Sequence, residues 1–278
     1  MYEIIFLSAL AIVWILFAVV QDLKTREIAN WLNFSLIIFA LGFRFFYSLF
    51  GGEFGFFYQG IYGLGVFFII GNLFYYGRIF AGGDAKLMIA LGAILPFHNN
   101  FYDNLNFFLI FLMIFLFVGA IYTLIGSLWF TLINFKSFKK EFRKQLMKFK
   151  KYYSLGISLA VLLALLGFMD EIFLSLGVLF FVFINLYIYA KAVDESSMIR
   201  NVGTGKLTEG DWLYKNTKVG KKTIKASWEG LKKQEIRLLK KYHKKIRIRY
   251  GIPFSPVFLI SFLILIWFWK IGLRNPFW

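Results

Sequence analysis

Two aspartates carry the sequence's best prospect of chemistry. Asp84 lies in the run Phe80-Ala-Gly-Gly-Asp-Ala-Lys-Leu-Met-Ile-Ala-Leu-Gly92. Gly82 and Gly83 permit a tight turn and a close backbone approach. The carboxylate then falls where an apolar helix begins, at the edge of hydrocarbon. A charge there is expensive and marks a candidate functional group. Asp is also a favoured helix N-cap, so this stretch alone leaves both readings open. Asp22 occupies an equivalent place where the first apolar run closes, although alone it reads equally as a solvated loop residue. Two carboxylates sharing a site do not easily both ionise, so one keeps a proton near neutral pH. The ionised one can take a proton from a water that attacks a carbonyl. The protonated one can hydrogen-bond the carbonyl oxygen and later donate to the leaving amine. That is peptide hydrolysis without a covalent intermediate, metal or cofactor. A helix dipole favours negative charge at Asp84, at a helix start, and not at Asp22, near a helix end. The resting proton is therefore expected on Asp22, within a pair that titrates as a unit.

The elements that must position these acids are membrane helices. Of 278 residues, 59% are hydrophobic and 22% aromatic, and the mean hydropathy is +0.67. Soluble chains are about 45–50% apolar. Cysteine is absent, which excludes disulfides, thiolate metal sites and a cysteine nucleophile. The only histidines, His98 and His243, are far apart in sequence, so no zinc-protease helix is present. Both read as solvated. The net charge of +17 sits in a few loops, so topology accounts for it and no nucleic-acid partner is expected. Anionic lipid headgroups add to the attraction.

The apolar runs give eight spans in an all-α polytopic fold: Ile4–Val20, Trp31–Phe50, Phe56–Tyr76, Leu87–Phe97, Phe107–Ile133, Ser154–Phe168, Ile172–Ala190 and Val257–Ile271. The first lacks a basic leader and a cleavage site, so it is expected to be retained. Arg44 is placed near the far end of the second span, where its stem can snorkel to headgroups. Gly60, Gly63, Gly65 and Gly71 read as a helix-packing face. Trp267, Phe268, Trp269 and Trp278 read as an interface anchor. The chain is divided into a membrane core (1–133), a basic interfacial segment and helical hairpin (134–190), a basic subdomain (191–253) and a last helix (254–278). Phe135–Tyr153 holds eight Lys/Arg against one acid, with apolar residues between them as in an interfacial helix. Residues 191–253 hold 17 Lys/Arg and too few apolar residues for a large core.

Nearly all of the 32 basic residues fall in the loops at 21–30, 77–86, 134–153 and 191–253. Those loops share one face when eight spans alternate, and the basic face is cytoplasmic. Asp22 and Asp84 then lie on that face at similar depth, and the subdomain before the last helix is cytoplasmic.

Around both acids the sequence resembles the type IV prepilin peptidases, closest to the archaeal preflagellin and prepilin branch. Asp22-Leu-Lys-Thr-Arg-Glu-Ile-Ala-Asn-Trp-Leu32 resembles their first aspartate motif. Ala81-Gly-Gly-Asp-Ala-Lys-Leu87 resembles their Gly-x-Gly-Asp motif, with Ala81 in place of its first glycine. Ala29 stands where such proteins often have proline. Leu207–Leu213 and Gly251–Pro256 support the archaeal branch. The resemblance implies Asp22 and Asp84 as catalytic residues, with Gly82, Gly83, Lys86, Lys24, Arg26 and Asn30 as motif support. It implies six spans, with 154–190 an inserted hairpin. The implied partner is an archaellin or pilin-like precursor with a short basic leader before a hydrophobic helix, cut at the cytoplasmic boundary of the lipid bilayer. Glu27, Glu209 and Asp211 are the candidate contacts for that leader. Asp194 and Glu195 read as ordinary surface charge.

Two alternatives stand beside this reading. A presenilin-like protease also uses two aspartates and Gly-x-Gly-Asp, but here both acids lie at span ends and no Tyr-Asp precedes the second motif. A transporter needs polar groups near mid-bilayer, and these spans have few.

Overall fold

The computed structural model describes residues 2–220 and 222–272. In chain order these form α1 (Tyr2–Thr25), α2 (Asn30–Gly51), α3 (Gly55–Tyr76), α4 (Gly82–Gly92), α5 (Phe101–Ile133), α6 (Phe135–Lys148), α7 (Lys150–Leu166), α8 (Glu171–Ser197), β1 (Ile199–Gly203), β2 (Trp212–Leu213), β3 (Thr217–Val219), β4 (Lys222–Ile224), α9 (Lys233–Tyr242), β5 (Lys245–Arg249) and α10 (Ser255–Gly272). Trp278 of the expected anchor lies outside the described residues. Among the described residues six helices, α1, α2, α3, α5, α8 and α10, are long and apolar enough to cross a bilayer. A seventh span arises if α6 and α7, bent by 81° at their junction, count as one. The expected eight is not reached on this measure because α4 has only 11 residues. At 1.5 Å per residue α4 covers about 16 Å, half of a ~30 Å hydrocarbon layer.

The chain forms two compact units, one running to Thr123 and resuming at Pro253, the other from Leu124 to Ile252. The first is a helical core with narrow buried stripes. Leu7, Ala11, Ile15 and Ala18 of α1 are fully buried at three- and four-residue spacing, as are Leu36 and Ala40 of α2 and Phe258, Phe262 and Leu265 of α10. Phe6, Phe17 and Val20 stay exposed, as suits a lipid-facing surface. The Trp14 Nε1 donates to Ser35 Oγ at 2.9 Å, and the Phe6 and Phe43 rings stack at 4.2 Å, so α1 and α2 run antiparallel.

Glycines set the α3–α4 contact. A Cβ on Gly92 would meet the Gly63 carbonyl oxygen at 2.6 Å, and one on Gly71 would meet the Ala85 carbonyl oxygen at 2.9 Å. Of the four glycines read as a packing face, Gly63 and Gly71 are so used, Gly60 faces Arg44 and Leu41 of α2, and Gly65 faces open space. Gly92→Ala is expected to destabilise the protein by about 1–3 kcal/mol, because backbone rather than a flexible side chain must move. A lowered thermal midpoint in detergent would read this, with Gly65→Ala as the unaffected control.

Arg44 does not snorkel. Its side chain is fully buried. The Nε donates to the Ala93 carbonyl at 2.9 Å, Nη1 to Phe56 at 3.0 Å, and Nη2 to Ile94 at 3.0 Å and Pro96 at 2.6 Å. The Phe56 ring lies 4.3 Å from its guanidinium carbon. The reason is the early end of α4: Ala93, Ile94 and Leu95 are fully buried outside the helix, and their carbonyls need donors. Non-helical backbone at such depth is tolerated only where protein satisfies it. Gly60 leaves room for the arginine, since a Cβ there would meet Arg44 Nε at 3.0 Å.

The second unit pairs α7 with α8 through Gly177, whose added Cβ would meet the Ala164 nitrogen at 2.7 Å. The amphipathic reading of α6 holds locally. Phe138 packs at 5.6 Å on Tyr189 of α8, while Lys136, Lys139, Lys140, Arg143, Lys144 and Met147 line an open groove of about 570 Å³. The basic subdomain carries an antiparallel sheet ordered β1-β5-β2, with Ile199 and Trp212 both opposite Arg249, and a β3–β4 hairpin. Its small core includes Leu213, Leu239, Ile246 and Ile248. Arg249 pairs with Asp194 at 3.1 Å and Glu195 at 3.8 Å, and the Tyr214 hydroxyl donates to Glu195 at 2.7 Å. The two acids thus join α8 to the sheet. That bond to Glu195 raises the Tyr214 hydroxyl above the ordinary tyrosine range.

Candidate functional site

Asp22 extends the buried stripe of α1 one turn past Ala18, and is itself 8% exposed. After it the chain turns back sharply. The Arg26 amide donates to the Asp22 carbonyl at 2.9 Å, with Arg26 in the left-handed region at φ 61°. Such a residue ends a helix, a place usually taken by glycine or asparagine. The returning loop is pinned to the last turn of α1: the Ala29 amide donates to Gln21 Oε1 at 3.0 Å, and Thr25 Oγ1 to the Gln21 carbonyl at 2.9 Å.

The turn before α4 repeats the device, with Arg78 at φ 60°. Phe80 anchors it, its ring 4.9 Å from Phe74 and 5.7 Å from Phe115. Asp84 is the third residue of α4 and half-buried. Its carboxylate reaches back to the Ala81 backbone. The N-cap position read for Asp84 belongs to Ala81, and Asp84, two residues into the helix past Gly82, bonds back to it as a capping-box acid does.

Two contacts lay the loop after Asp22 on the turn that carries Asp84, and a third holds Asp22 itself. A Cβ on Gly83 would press on Ile28 Cβ at 3.2 Å, so the loop after Asp22 lies directly on the turn that carries Asp84. Gly82 is under no such constraint, its nearest neighbour being Tyr75 at 3.7 Å. The Lys86 Nζ donates to Asn30 Oδ1 at 2.7 Å, tying the first turn of α4 to the start of α2. The Ser255 amide, first in α10, donates to Asp22 Oδ2 at 3.1 Å. Asp22 and Asp84 lie within reach of each other's charge.

The last of these contacts overturns the dipole argument for the resting proton. Asp22 sits near the end of α1 but also meets the start of α10, so each carboxylate has a helix N-terminus of its own. The dipoles do not distinguish them.

Lys24, Arg26 and Glu27 are exposed around the Asp22 turn. Glu209 and Asp211 belong to the other unit and are engaged there. Glu209 pairs with Lys233 at 3.5 Å, and Asp211 Oδ2 accepts from the Thr208 amide at 2.8 Å, closing a turn. His98 accepts and donates through its backbone to Asn104, and the His243 ring is 2.8 Å from the Lys218 carbonyl. Among the described residues no three of His, Cys, Asp and Glu converge as a metal site would require.

Sequence reasoning did not find the Ser255 amide or Tyr122. The apolar run of α10 announces the helix, and Ser-Pro before it was the available start signal. Nothing local announces its meeting with Asp22, 233 residues away. Tyr122, on α5, feels the charge of Asp22.

Residues 9–124 match the type IV leader peptidase family. Over 85 residues, 31% of this chain and 36% of the relative, the sequence is 34% identical to a preflagellin peptidase of Methanocaldococcus jannaschii. It is 32% identical over 82 residues to a preflagellin peptidase of Methanococcus maripaludis, covering 30% and 35% of the two chains. A preflagellin peptidase of Methanococcus voltae is 32% identical over 88 residues, or 32% and 37%. The match thus spans about a third of the length of these curated relatives. No solved structure matches the chain.

Proposed function

We infer from the match of residues 9–124 to the type IV leader peptidase family that this chain is an aspartic endopeptidase of the membrane, with Asp22 and Asp84 its catalytic pair. Its substrates are archaellin or pilin-like precursors, from which it removes a short basic leader. The observation that carries this reading is the convergence of the Asp22 loop and the Asp84 turn, through Ile28 on Gly83 and Lys86 on Asn30. One carboxylate is ionised and takes a proton from water as the oxygen bonds to the scissile carbonyl carbon. The other holds a proton, donates a hydrogen bond to the carbonyl oxygen, and gives that proton to the nitrogen as the C–N bond breaks. Lys86 and Asn30 hold the turn, and Gly83 lets the loop approach. Cleavage occurs at the cytoplasmic boundary, which the positive charge of the loops on the acids' side supports.

The test is direct. Membranes containing this protein are mixed with archaellin and pilin precursors, and products are read by gel and by mass. The expected product lacks only the leader, with its new N-terminus just before the hydrophobic helix, and its yield is unchanged by a metal chelator. An uncut precursor of both kinds, or cleavage that the chelator stops, would overturn the reading.

A further inference from the structure

We propose that the Tyr122 hydroxyl is a third polar group of this site, donating a hydrogen bond to the carbonyl oxygen of the peptide under attack. The inference rests on the proteolytic reading above and adds to it a residue on a different helix. One face of α5 runs along the elements that hold the two acids. The Phe115 ring lies 5.7 Å from Phe80, which anchors the Asp84 turn, and 5.8 Å from Phe254. One turn on, a Cβ on Gly119 would meet Phe254 Cζ at 3.0 Å, so α5 closes tightly on the entry to α10. The next residue of the chain there is Ser255, whose amide holds Asp22. Tyr122 follows Gly119 by three residues, on the same face. It is half-buried and packs on the apolar core.

Tyr122 thus comes within reach of the Asp22 charge, yet no hydrogen bond joins the two among the described residues. With no bond to the carboxylate, the phenol keeps its proton available for a third group. Neighbouring Thr123 offers no substitute, because its hydroxyl donates to the Gly119 carbonyl at 2.8 Å. The tyrosine brings a neutral donor to the place where negative charge gathers on oxygen as water adds. No bond is made or broken at Tyr122.

Tyr122→Phe removes one oxygen and keeps the ring. The thermal midpoint is expected to stay at the wild-type value. The kcat for precursor cleavage, counted per folded molecule after gel filtration, is expected to fall about 10- to 100-fold, the lower range for an oxyanion donor, with KM within about twofold. Wild-type kcat in Tyr122→Phe, while Asp22→Asn is inactive, would overturn this proposal alone. A raised KM with unchanged kcat would also overturn it, since the hydroxyl would then only bind substrate. Cleavage by Asp22→Asn at the wild-type rate would instead remove the proteolytic reading itself.

Discussion

Asp22→Asn and Asp84→Asn are each expected to lower precursor cleavage by about 10²–10⁴-fold, and the double variant to fall little further. Asparagine matches aspartate in shape but neither takes a proton from water nor holds one for a leaving amine. In the proposed reaction both acids act on the same water and the same carbonyl, so losing one would idle the other. The fold is expected to survive. An asparagine at 22 keeps an oxygen that can accept from the Ser255 amide, now at 3.1 Å from Asp22 Oδ2. An asparagine at 84 keeps an oxygen for the Ala81 backbone. Gel-based cleavage assays read the rates, and thermal unfolding in detergent reads the fold. Undiminished cleavage in either variant would leave the pair without its assigned role.

Arg44→Met is expected to destabilise the protein by about 3–5 kcal/mol. Methionine fills much of the same volume but donates no hydrogen bond. The carbonyls of Phe56, Ala93, Ile94 and Pro96 would then face one another without a partner in an apolar interior. Lysine is a partial replacement at best. Its point charge and three donors cannot copy a planar fork that serves four oxygens and lies on the Phe56 ring. The expected order of thermal midpoints is therefore Arg, then Lys, then Met. A Met variant as stable as the parent would refute the carbonyl-clamp account.

The long apolar runs were legible because hydrophobic length alone announces them, and α1, α2, α3, α5, α8 and α10 all lie where such runs were read. Asp22 and Asp84 were legible as charges at the ends of those runs. What the sequence hid depends on contacts between distant segments. Arg44 looks like a residue bound for the headgroups until the early end of α4 supplies carbonyls for it. The strands escaped notice because basic residues dominate 191–253. The alternation Lys-Ile-Arg-Ile-Arg at Lys245–Arg249, with Ile246 and Ile248 buried, was the available signal. The left-handed conformations of Arg26 and Arg78 carry no local signature, since glycine or asparagine is the usual choice there.

The Ser255 amide reaches Asp22 from 233 residues further along the chain. During synthesis the chain displays both acids long before α10 emerges from the ribosome. A chain made only as far as α5 therefore holds both carboxylates without the amide that donates to Asp22. The loop and the turn that carry the acids can thus meet first, through Ile28 and Gly83, and the backbone donor of Asp22 is added only when α10 packs against α1.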